Sequence, residues 1–310
     1  MGAERMKYEF IVNPQARSGM GGMIWDMICP ELKKRNVDHT VRMTRRRRHA
    51  ERIAKEITAD GEEHLIVVLG GDGTVNEVLN GLDAPEKITL GYIPIGSSND
   101  FARGLGIPGD PMKALAAVLK QDRVIEMDVG EMIRAGRRRR FAVSAGIGFD
   151  AAVCHEVCVS RWKVLLNRLN LGKLSYAAVA LDQLVRSRPA NACVTVDGRR
   201  RVFEKMYFAA FMNLPYEGGG FKFCPRASAA DGQLDVMIAA GLPKLKILLL
   251  LPTAFWGKHT GFKGVTILRG RHVTVESEKP LPLHTDGEPS FLRRNIDVRL
   301  AEGRMKVIVG

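Results

Sequence analysis

The sequence predicts an N-terminal doubly wound α/β domain followed by a C-terminal antiparallel β domain. Strand-like and helix-like segments alternate up to about residue 125, which is typical of a parallel sheet with helices on both faces. Beyond Asp128 the chain changes to many short strand-like segments with turn signals, as in a sandwich or a barrel. Its 310 residues agree with roughly two domains of about 150 residues each.

The elements of the first half follow in a regular order. A Gly-rich turn after the first strand opens a helix that reaches about residue 35. The strands are expected at 7–13, 37–43, 64–70 and 88–96, and the other helices at about 50–59, 74–82 and 111–120.

The second half is predicted to be mostly strand, interrupted by a helical insertion at about 151–187. The strands are expected at 127–133, 139–146, 190–197, 201–213, 233–239, 265–270, 271–278 and 295–301.

Composition and charge narrow the class of protein. Apolar residues make up 45% and charged residues 26% of the chain, a globular balance. The net charge of +13, with arginine runs at 45–48, 137–140 and 199–201, favours an anionic partner, although a solvated basic surface explains each run equally well. No aromatic residues interleave the first two runs, so we expect no nucleic-acid partner.

The sequence also bears on the compartment. Five cysteines without a CxxC pair indicate neither a disulfide framework nor a zinc site. The N-terminus lacks the apolar core of a signal peptide, and the longest apolar run, 247–256, is about half a membrane span. We therefore expect a cytoplasmic protein, either soluble or peripheral to a membrane.

The stretch HLIVVLGGDGTVNEVLNGL, residues 64–82, carries the main functional signal. Gly70, Gly71 and Gly73 leave backbone N–H groups accessible between a strand and a helix, and the helix N-terminus favours an anion. The sequence lacks GxxxxGK[ST], and the GxGxxG run at 104–109 follows no strand. The GxGxxA run at 145–151 follows a strand, but the strand-rich half around it is not a βαβ unit. A phosphate-binding turn of another kind is predicted.

Two polar residues of this turn, Thr74 and Asp72, have two interpretations each. Thr74 and Glu77 match a capping box, and Thr74 suits a phosphate contact equally well. Asp72 would repel phosphates unless a cation lies between them, which suggests Mg²⁺. As part of an Asp-Gly dipeptide it is also a common turn residue.

Five segments of the sequence resemble the diacylglycerol kinase catalytic family, particularly its soluble bacterial members. They are NPQARSG (13–19), GGDGTVNEV (70–78), PIGSSNDFARGLGIP (94–108), NLPYEGGGFKFCPRASAADGQLDV (213–236) and HTDGEP (284–289). GGDGT alone would also fit NAD kinases. The resemblance implies a nucleotide-binding α/β domain at 1–128, joined by the segment 291–310, and a β-sandwich acceptor domain at 129–290.

The resemblance also implies ATP as the phosphoryl donor and assigns residues to it. They are Asn13, Pro14, Gln15, Ala16, Arg17, Thr44, Gly71, Asp72, Gly73, Thr74, Val75, Asn76, Glu77 and Ser97. Most relatives have Thr at the last position, and Ser97 keeps the hydroxyl.

For Mg²⁺ the resemblance implies the Asp231 carboxylate with the backbone carbonyls of Ser228 and Gln233, linked through water to Asp72. An Asp-Gly hairpin turn is the simpler interpretation of Asp231. The implied general base is Glu288, with Asp286 as the second candidate.

The acceptor is expected to be a membrane lipid, with diacylglycerol as the default. The run 244–259, apolar with basic ends, suits peripheral contact with an anionic membrane, and a buried core helix is the alternative. The alternatives to a lipid kinase are a NAD kinase and a non-catalytic nucleotide- and lipid-binding regulator. The sequence leaves the oligomeric state open, a homodimer included.

Overall fold

The computed structural model describes residues 7–134, 136–159 and 182–310. Its strands connect into one 13-stranded sheet with a parallel part near the N-terminus and an antiparallel part beyond it. This arrangement confirms the predicted α/β plus all-β fold class.

Seven helices of the described chain are labelled here in chain order. They are α1 (Ala16–Lys34), α2 (His49–Ile57), α3 (Asp72–Gly81), α4 (Asp100–Leu105), α5 (Pro111–Lys120), α6 (Phe149–Val159) and α7 (Lys244–Leu250). A 3₁₀ segment, Leu251–Trp256, continues α7.

The strands are labelled β1 to β13. They are β1 (Tyr8–Val12), β2 (His39–Met43), β3 (His64–Gly70), β4 (Ile88–Pro94), β5 (Val124–Arg134), β6 (Arg137–Phe141), β7 (Ser144–Gly148), β8 (Ala190–Val196), β9 (Arg199–Met212), β10 (Leu234–Ala240), β11 (Val265–Gly270), β12 (His272–Thr285) and β13 (Glu288–Ile308).

The parallel part has the strand order β2-β1-β3-β4 and buries both faces. Neighbouring residues of one strand point to different cores: Phe10 packs with Trp25 of α1, whereas Ile11 packs with Ile53 of α2. Side chains alternate across a strand, so helices on both faces require strands that are apolar throughout. Leu65–Leu69 of β3, fully buried, meet this requirement.

The antiparallel part follows the order β11-β10-β9-β7-β12-β13, with β8 pairing both β9 and β12. Its strands enclose a separate apolar core that includes Phe141, Phe211, Val236 and Val273. A further apolar cluster lies between β9, β10 and α7, where Ile247 and Leu250 of α7 contribute.

Strand β13 joins the two parts. Its beginning pairs with β12 and its end pairs in parallel with β4, through Lys306 opposite Thr89. The pairing of β5 with β13 also runs along both parts. The domain boundaries drawn from the sequence stay a prediction, since β5 and β13 belong to both the parallel and the antiparallel part.

The structure differs from the sequence predictions in several places, and the strands expected at 271–278 and 295–301 are longer, as β12 and β13. Helix α4 was not predicted, because its six residues are too few to show a period. The predicted strand at 139–146 is divided into β6 and β7. The predicted insertion at 151–187 is helical at 151–159 and 182–186, and its middle part lies outside the described residues.

The basic and apolar run at 244–259 is buried on one side, where Ile247 and Leu250 of α7 pack in the core, and exposed on the other. Leu245 and Leu249 of α7 are 68% and 66% exposed, and Trp256 is 70% exposed. Within the described chain, we find no helix with both the length and the apolar character needed to cross a bilayer.

Candidate active site

The turn between β3 and α3 lies at the carboxyl edge of the parallel sheet, against the turn that follows β4. A Cβ atom on Gly96 would lie 2.7 Å from the Cα atom of Gly71, and one on Gly70 would lie 2.6 Å from Thr74 Oγ1. Because side chains would collide at both places, glycine is required for this close approach of two backbones. The N-terminus of α3 thus opens at a glycine-lined edge, as a phosphate site needs.

The predicted capping box at Thr74 and Glu77 is wrong. Gly71 is the N-cap residue of α3, and no side chain caps it. Thr74 Oγ1 instead accepts a hydrogen bond of 3.2 Å from Asn13 Nδ2. Glu77 accepts from the amides of Arg48 and Ala50 at 2.8 and 3.2 Å, so it caps the start of α2. A local sequence pattern cannot show that Glu77 caps a helix other than its own.

Asp72 is held by the start of helix α4. Its carboxylate accepts from the amides of Asp100 and Phe101 at 3.0 and 3.1 Å. Burial, together with the nearby Asp100 carboxylate, raises the pKa of Asp72 to about 7, although the two amides act to lower it. Asp72 is therefore poised to exchange a proton near neutral pH or to accept a cation.

Asp100 is a functional candidate that the sequence analysis did not single out. Its Oδ1 accepts from Arg103 at 2.9 Å and its Oδ2 from the amide of Gly219 at 2.7 Å. Arg103 also lies over the ring of Tyr216, 5.7 Å from its centroid. The sequence signal for Asp100 was the segment NDFAR. Asp100 links the turn after β4 to the loop at 217–221.

Asp286 has no free acceptor position facing a substrate. Asp286 is half-buried, and its carboxylate accepts from the amides of Ala142, Val143 and Ser144 at 2.8–3.0 Å and from Asn76 Nδ2 at 2.7 Å. Burial raises the pKa of Asp286, while these four donors lower it. Such an arrangement fixes the position of a turn and is unsuited to a general base.

Glu288, two residues later, lies at the glycine turn. A Cβ atom on Gly73 would lie 3.7 Å from Glu288 Oε1, and Arg47 forms an ion pair with Oε2. The side chain of Glu288 is 32% exposed. Of the two acids in this turn, Glu288 is the one that can receive a proton from a substrate.

The side chains of two residues expected at the nucleotide are buried inside the protein. Val75 packs in the core. Asn76 donates to Arg140 O at 3.1 Å, and its Oδ1 accepts from Arg139 at 2.7 Å. Together with its bond to Asp286, these contacts use the whole amide of Asn76 to join α3 to the antiparallel part.

The other expected nucleotide residues lie around the same edge. Asn13 follows β1, and its Oδ1 accepts from the Gln15 amide at 3.1 Å. Arg17 has a left-handed φ of 48° at the start of α1, Thr44 is buried at the end of β2, and Ser97 is exposed after β4. Pro14 lies in the turn before α1, and Ala16 is its first residue.

The turn at 228–233 has oxygen ligands of the kind that Mg²⁺ prefers, although the carboxylate has a partner. Asp231 forms an ion pair with Arg269 and accepts from the Gln233 amide at 3.1 Å. The amide of Gly232 donates to Asp128 at 2.7 Å. A cation here fits the donor types and competes with Arg269.

The described contacts do not bring Asp231 to Asp72. Asp72 contacts the start of α4, and the acids that raise its pKa are Asp100 and Asp286. Asp231 faces Arg269 in the antiparallel part. The predicted link through water stays a prediction.

A cluster that the sequence did not indicate stands behind the HTDGEP turn. Reactive atoms of Asp150, Cys154, Glu217 and His284 lie within 4.8 Å of one another. The amide of Gly287 donates to His284 Nδ1 at 3.2 Å, and His284 Nε2 lies 2.7 Å from Asp150. Because Nδ1 accepts, the ring proton is on Nε2, which disfavours a metal ligand there and favours a role in holding the turn.

Comparison with known protein families agrees with this geometry. Residues 7–132 match the diacylglycerol kinase catalytic domain, and residues 142–300 match the YegS C-terminal NAD kinase beta sandwich-like domain.

Individual proteins match along most of the chain. YtlR of Bacillus subtilis is 32% identical over 284 residues, which are 90% of this chain and 92% of that one. A diacylglycerol kinase of Mycobacterium tuberculosis is 30% identical over 283 residues, 91% of this chain and 88% of that one.

A solved structure shares the fold. The crystal structure of a diacylglycerol kinase from Bacillus anthracis superposes with a TM-score of 0.72 at 23% identity, covering 100% of this chain and 98% of that one. The chain belongs to the diacylglycerol kinase catalytic family and has the lipid kinase fold of two joined parts.

Proposed function

We propose that this lipid kinase family member transfers the γ-phosphoryl group of ATP to the hydroxyl of a membrane lipid, with diacylglycerol as the default acceptor. The position of Glu288 carries the proposal. Its carboxylate comes from the antiparallel part and reaches Gly73 at the N-terminus of α3. A base and a phosphate site that meet in this way are what phosphoryl transfer to an alcohol requires.

The donor would bind at the glycine edge. The amides at the start of α3 and the close turns at Gly71 and Gly96 form a cradle without side chains, and the helix dipole adds positive potential there. Arg17, beside it at the start of α1, would contribute a cationic side chain.

Mg²⁺ would be held by Asp231 with carbonyls of Ser228 and Gln233, and Asp72 would face it through water. Bound there, the ion would offset negative charge near the triphosphate.

In the transfer step the acceptor oxygen forms a bond to the γ-phosphorus while the bond from that phosphorus to the β,γ-bridging oxygen breaks. ADP leaves with the electron pair of the broken bond. Glu288 takes the hydroxyl proton of the acceptor, so charge does not accumulate on the attacking oxygen.

The acceptor would be reached through the surface formed by α7 and the 3₁₀ segment after it, residues 244–262. Leu245, Leu249 and Trp256 project from it, and basic side chains flank them at Lys246 and Lys258. Apolar side chains bordered by lysines suit an anionic lipid surface. We propose that this surface docks on the cytoplasmic face of a membrane.

A transfer assay tests the activity. Labelled ATP, Mg²⁺ and mixed micelles containing diacylglycerol should give labelled lipid, and Glu288→Gln should lower kcat roughly 10²- to 10⁴-fold without lowering the melting temperature. Exposed Glu62→Gln, outside the site, serves as the control. Label in NAD supplied as a parallel acceptor would support a NAD kinase, and ATP binding without transfer to any acceptor would support a regulator.

Vesicle sedimentation tests the docking surface. Leu249→Glu and Trp256→Glu should each reduce binding to vesicles rich in phosphatidylglycerol, because both changes place a negative charge at the membrane. Val202→Glu is the matched control, since Val202 is also 70% exposed but lies on β9. An equal loss in all three variants would contradict docking through residues 244–262.

A further inference from the structure

A buried group of polar side chains lies behind the turn that presents Glu288. His284, near the end of β12, pairs with Gly146 of β7 across the sheet. Its Nε2 atom lies 2.7 Å from Asp150 Oδ2 and 3.2 Å from Glu217 Oε1. The side chains of His284, Asp150 and Glu217, which we call the His284 cluster, come from three separate parts of the chain.

The cluster is enclosed and has no spare room. His284 is fully buried, and Glu217 is 5% exposed. A Cβ atom on Gly146 would lie 2.3 Å from His284 Nε2 and 2.6 Å from Asp150 Oδ2. Any side chain at position 146 would therefore displace the ring or its partner, so glycine is required there.

Glu217 is the unusual member, because its carboxylate is buried without the donors that an ionised carboxylate needs. Within the described residues, neither of its oxygens has a hydrogen-bond partner. Burial and the nearby Asp150 carboxylate raise the pKa of Glu217 well above its ordinary value. A buried carboxyl group in such surroundings favours its neutral form.

The ring of His284 decides where the proton of the cluster lies. Burial acts to lower the pKa of His284, while the carboxylates of Glu217 and Asp150 raise it to about 9. The contribution of Glu217 requires that Glu217 be ionised, so the same proton can be on Glu217 or on Nδ1 of His284. The Gly287 amide donates to Nδ1 at 3.2 Å, and a proton on Nδ1 would face the hydrogen of that amide. The geometry therefore favours a neutral ring and a protonated Glu217.

The contact between His284 and the Gly287 amide lies one residue away from Glu288. Gly287 has a left-handed φ of 75°, and the amide before it, that of Asp286, donates to Ser144 O at 2.8 Å. Two successive amides are thus held just before the chain reaches Glu288. Because a misplacement of about 1 Å can cost roughly 10²-fold in rate, the acceptor of the Gly287 amide matters for a base at this position.

We propose that Glu217 and His284 position the base Glu288: Glu217 holds the shared proton, which leaves Nδ1 of His284 able to accept from the Gly287 amide. Asp150 orients the ring by accepting from Nε2. These are positioning residues, since they act on Glu288 through the backbone of the turn. The proposal rests on the proposed kinase function, in which Glu288 takes the proton of the acceptor.

Two amide substitutions at His284 test the positioning role in the transfer assay. In His284→Asn the side-chain oxygen takes the place of Nδ1 and can accept from the Gly287 amide, whereas the amide group of His284→Gln reaches the place of Nε2. We expect His284→Gln to lower kcat roughly 10²-fold and His284→Asn to keep most of it, with the KM for ATP unchanged in both. A role in packing alone predicts the reverse order, because Gln is closer to His in volume. His272→Gln, at an exposed histidine of the same strand, is the control and should behave as wild type.

Glu217→Gln tests the position of the proton. Gln has the shape of a protonated Glu and cannot ionise, so this variant should keep the wild-type kcat and KM for ATP. A loss as large as that of His284→Gln would show that an ionised Glu217 is needed and would overturn the neutral pair. A kcat of His284→Gln equal to or above that of His284→Asn would overturn the positioning role.

Nuclear magnetic resonance with ¹⁵N-labelled histidine keeps the proposal separate from the kinase activity. Without ATP or lipid, the ring of His284, identified by its loss in whichever His284 variant folds, should be neutral at neutral pH and protonated on Nε2. An imidazolium, or a bound metal ion that Cys154→Ser removes, would overturn the proposal even if the chain is an active kinase. If this neutral ring is found but no acceptor is phosphorylated, the kinase proposal fails and the support of the turn by His284 stands.

Discussion

Two Asp-Gly turns of this protein, at 231–232 and 286–287, share a dipeptide but differ in the backbone of the aspartate, which is left-handed at Asp286 with φ of 47° and not at Asp231, and in what surrounds them. Both glycines are left-handed, with φ of 72° and 75°. Asp286 is half-buried and accepts four hydrogen bonds, whereas the Asp231 side chain is 33% exposed and pairs with Arg269.

The comparison shows that the Asp-Gly dipeptide determines neither the backbone conformation of its aspartate nor the availability of its carboxylate. In the 286–287 turn the aspartate is used to fix the structure, and the next residue, Glu288, faces the candidate site. In the 231–232 turn the aspartate itself faces outward, where a cation can compete for it.

Removing the Asp286 carboxylate should have the largest effect on stability. Asp286→Ala leaves three backbone amides and the Asn76 amide without their acceptor, so we expect the free energy of unfolding to fall by about 3–5 kcal/mol. Denaturant unfolding followed by circular dichroism measures the loss, and Asp286→Asn should lose less because one acceptor oxygen remains. Asp231→Ala should lose at most about 1 kcal/mol. Equal losses at the two turns would refute the contrast between them.

Asp72 extends the comparison with Asp286, because both carboxylates have raised pKa values but Asp72 accepts from only two amides. Its pKa rises from 3.8 to about 7 in the folded state, so folding favours its protonated form. The resulting stabilisation is complete below pH 3.8 and is lost as the pH rises through about 7. At roughly 1.4 kcal/mol per pKa unit, the loss is at most about 4 kcal/mol.

The matched measurement compares wild type with Asp72→Asn by denaturant unfolding at a series of pH values. Relative to this variant, which cannot ionise, the wild-type free energy of unfolding should fall with rising pH across that interval. Parallel curves for the two proteins would contradict a raised pKa at Asp72.

The smallest effect is expected from Mg²⁺ at the exposed turn. If Asp231 holds the ion, Mg²⁺ at about ten times its dissociation constant should raise the melting temperature of the wild type by roughly 2–5 °C, and Asp231→Ala should abolish this rise. Arg269→Gln removes the competing guanidinium and should enlarge it. A rise that persists in Asp231→Ala would place the ion elsewhere.

Much of the fold could be predicted because its signals are local. The apolar strands β1, β3 and β4 and the glycine turn at 70–73 follow from residue pattern alone. Helix α4 could not be predicted, since six residues with three polar or glycine positions show no period, and their helix is stabilised by Asp72 and the loop at 217–221.

The candidate site was predicted only in part. Glu288 and the glycine turn were expected at the site and meet there. Asn76 and Glu77 were assigned to a nucleotide, yet their side chains cap or join elements that are distant in the chain.

The sequence by itself determined the order of elements, the glycine turns and the family, because apolar period and dihedral freedom are properties of neighbouring residues. Only the tertiary structure decided which acids are used to hold the fold and which face the site. The hydrogen-bond donors around a carboxylate decide its role, and these donors can come from distant parts of the sequence. Asn76, which donates to Asp286, is one example.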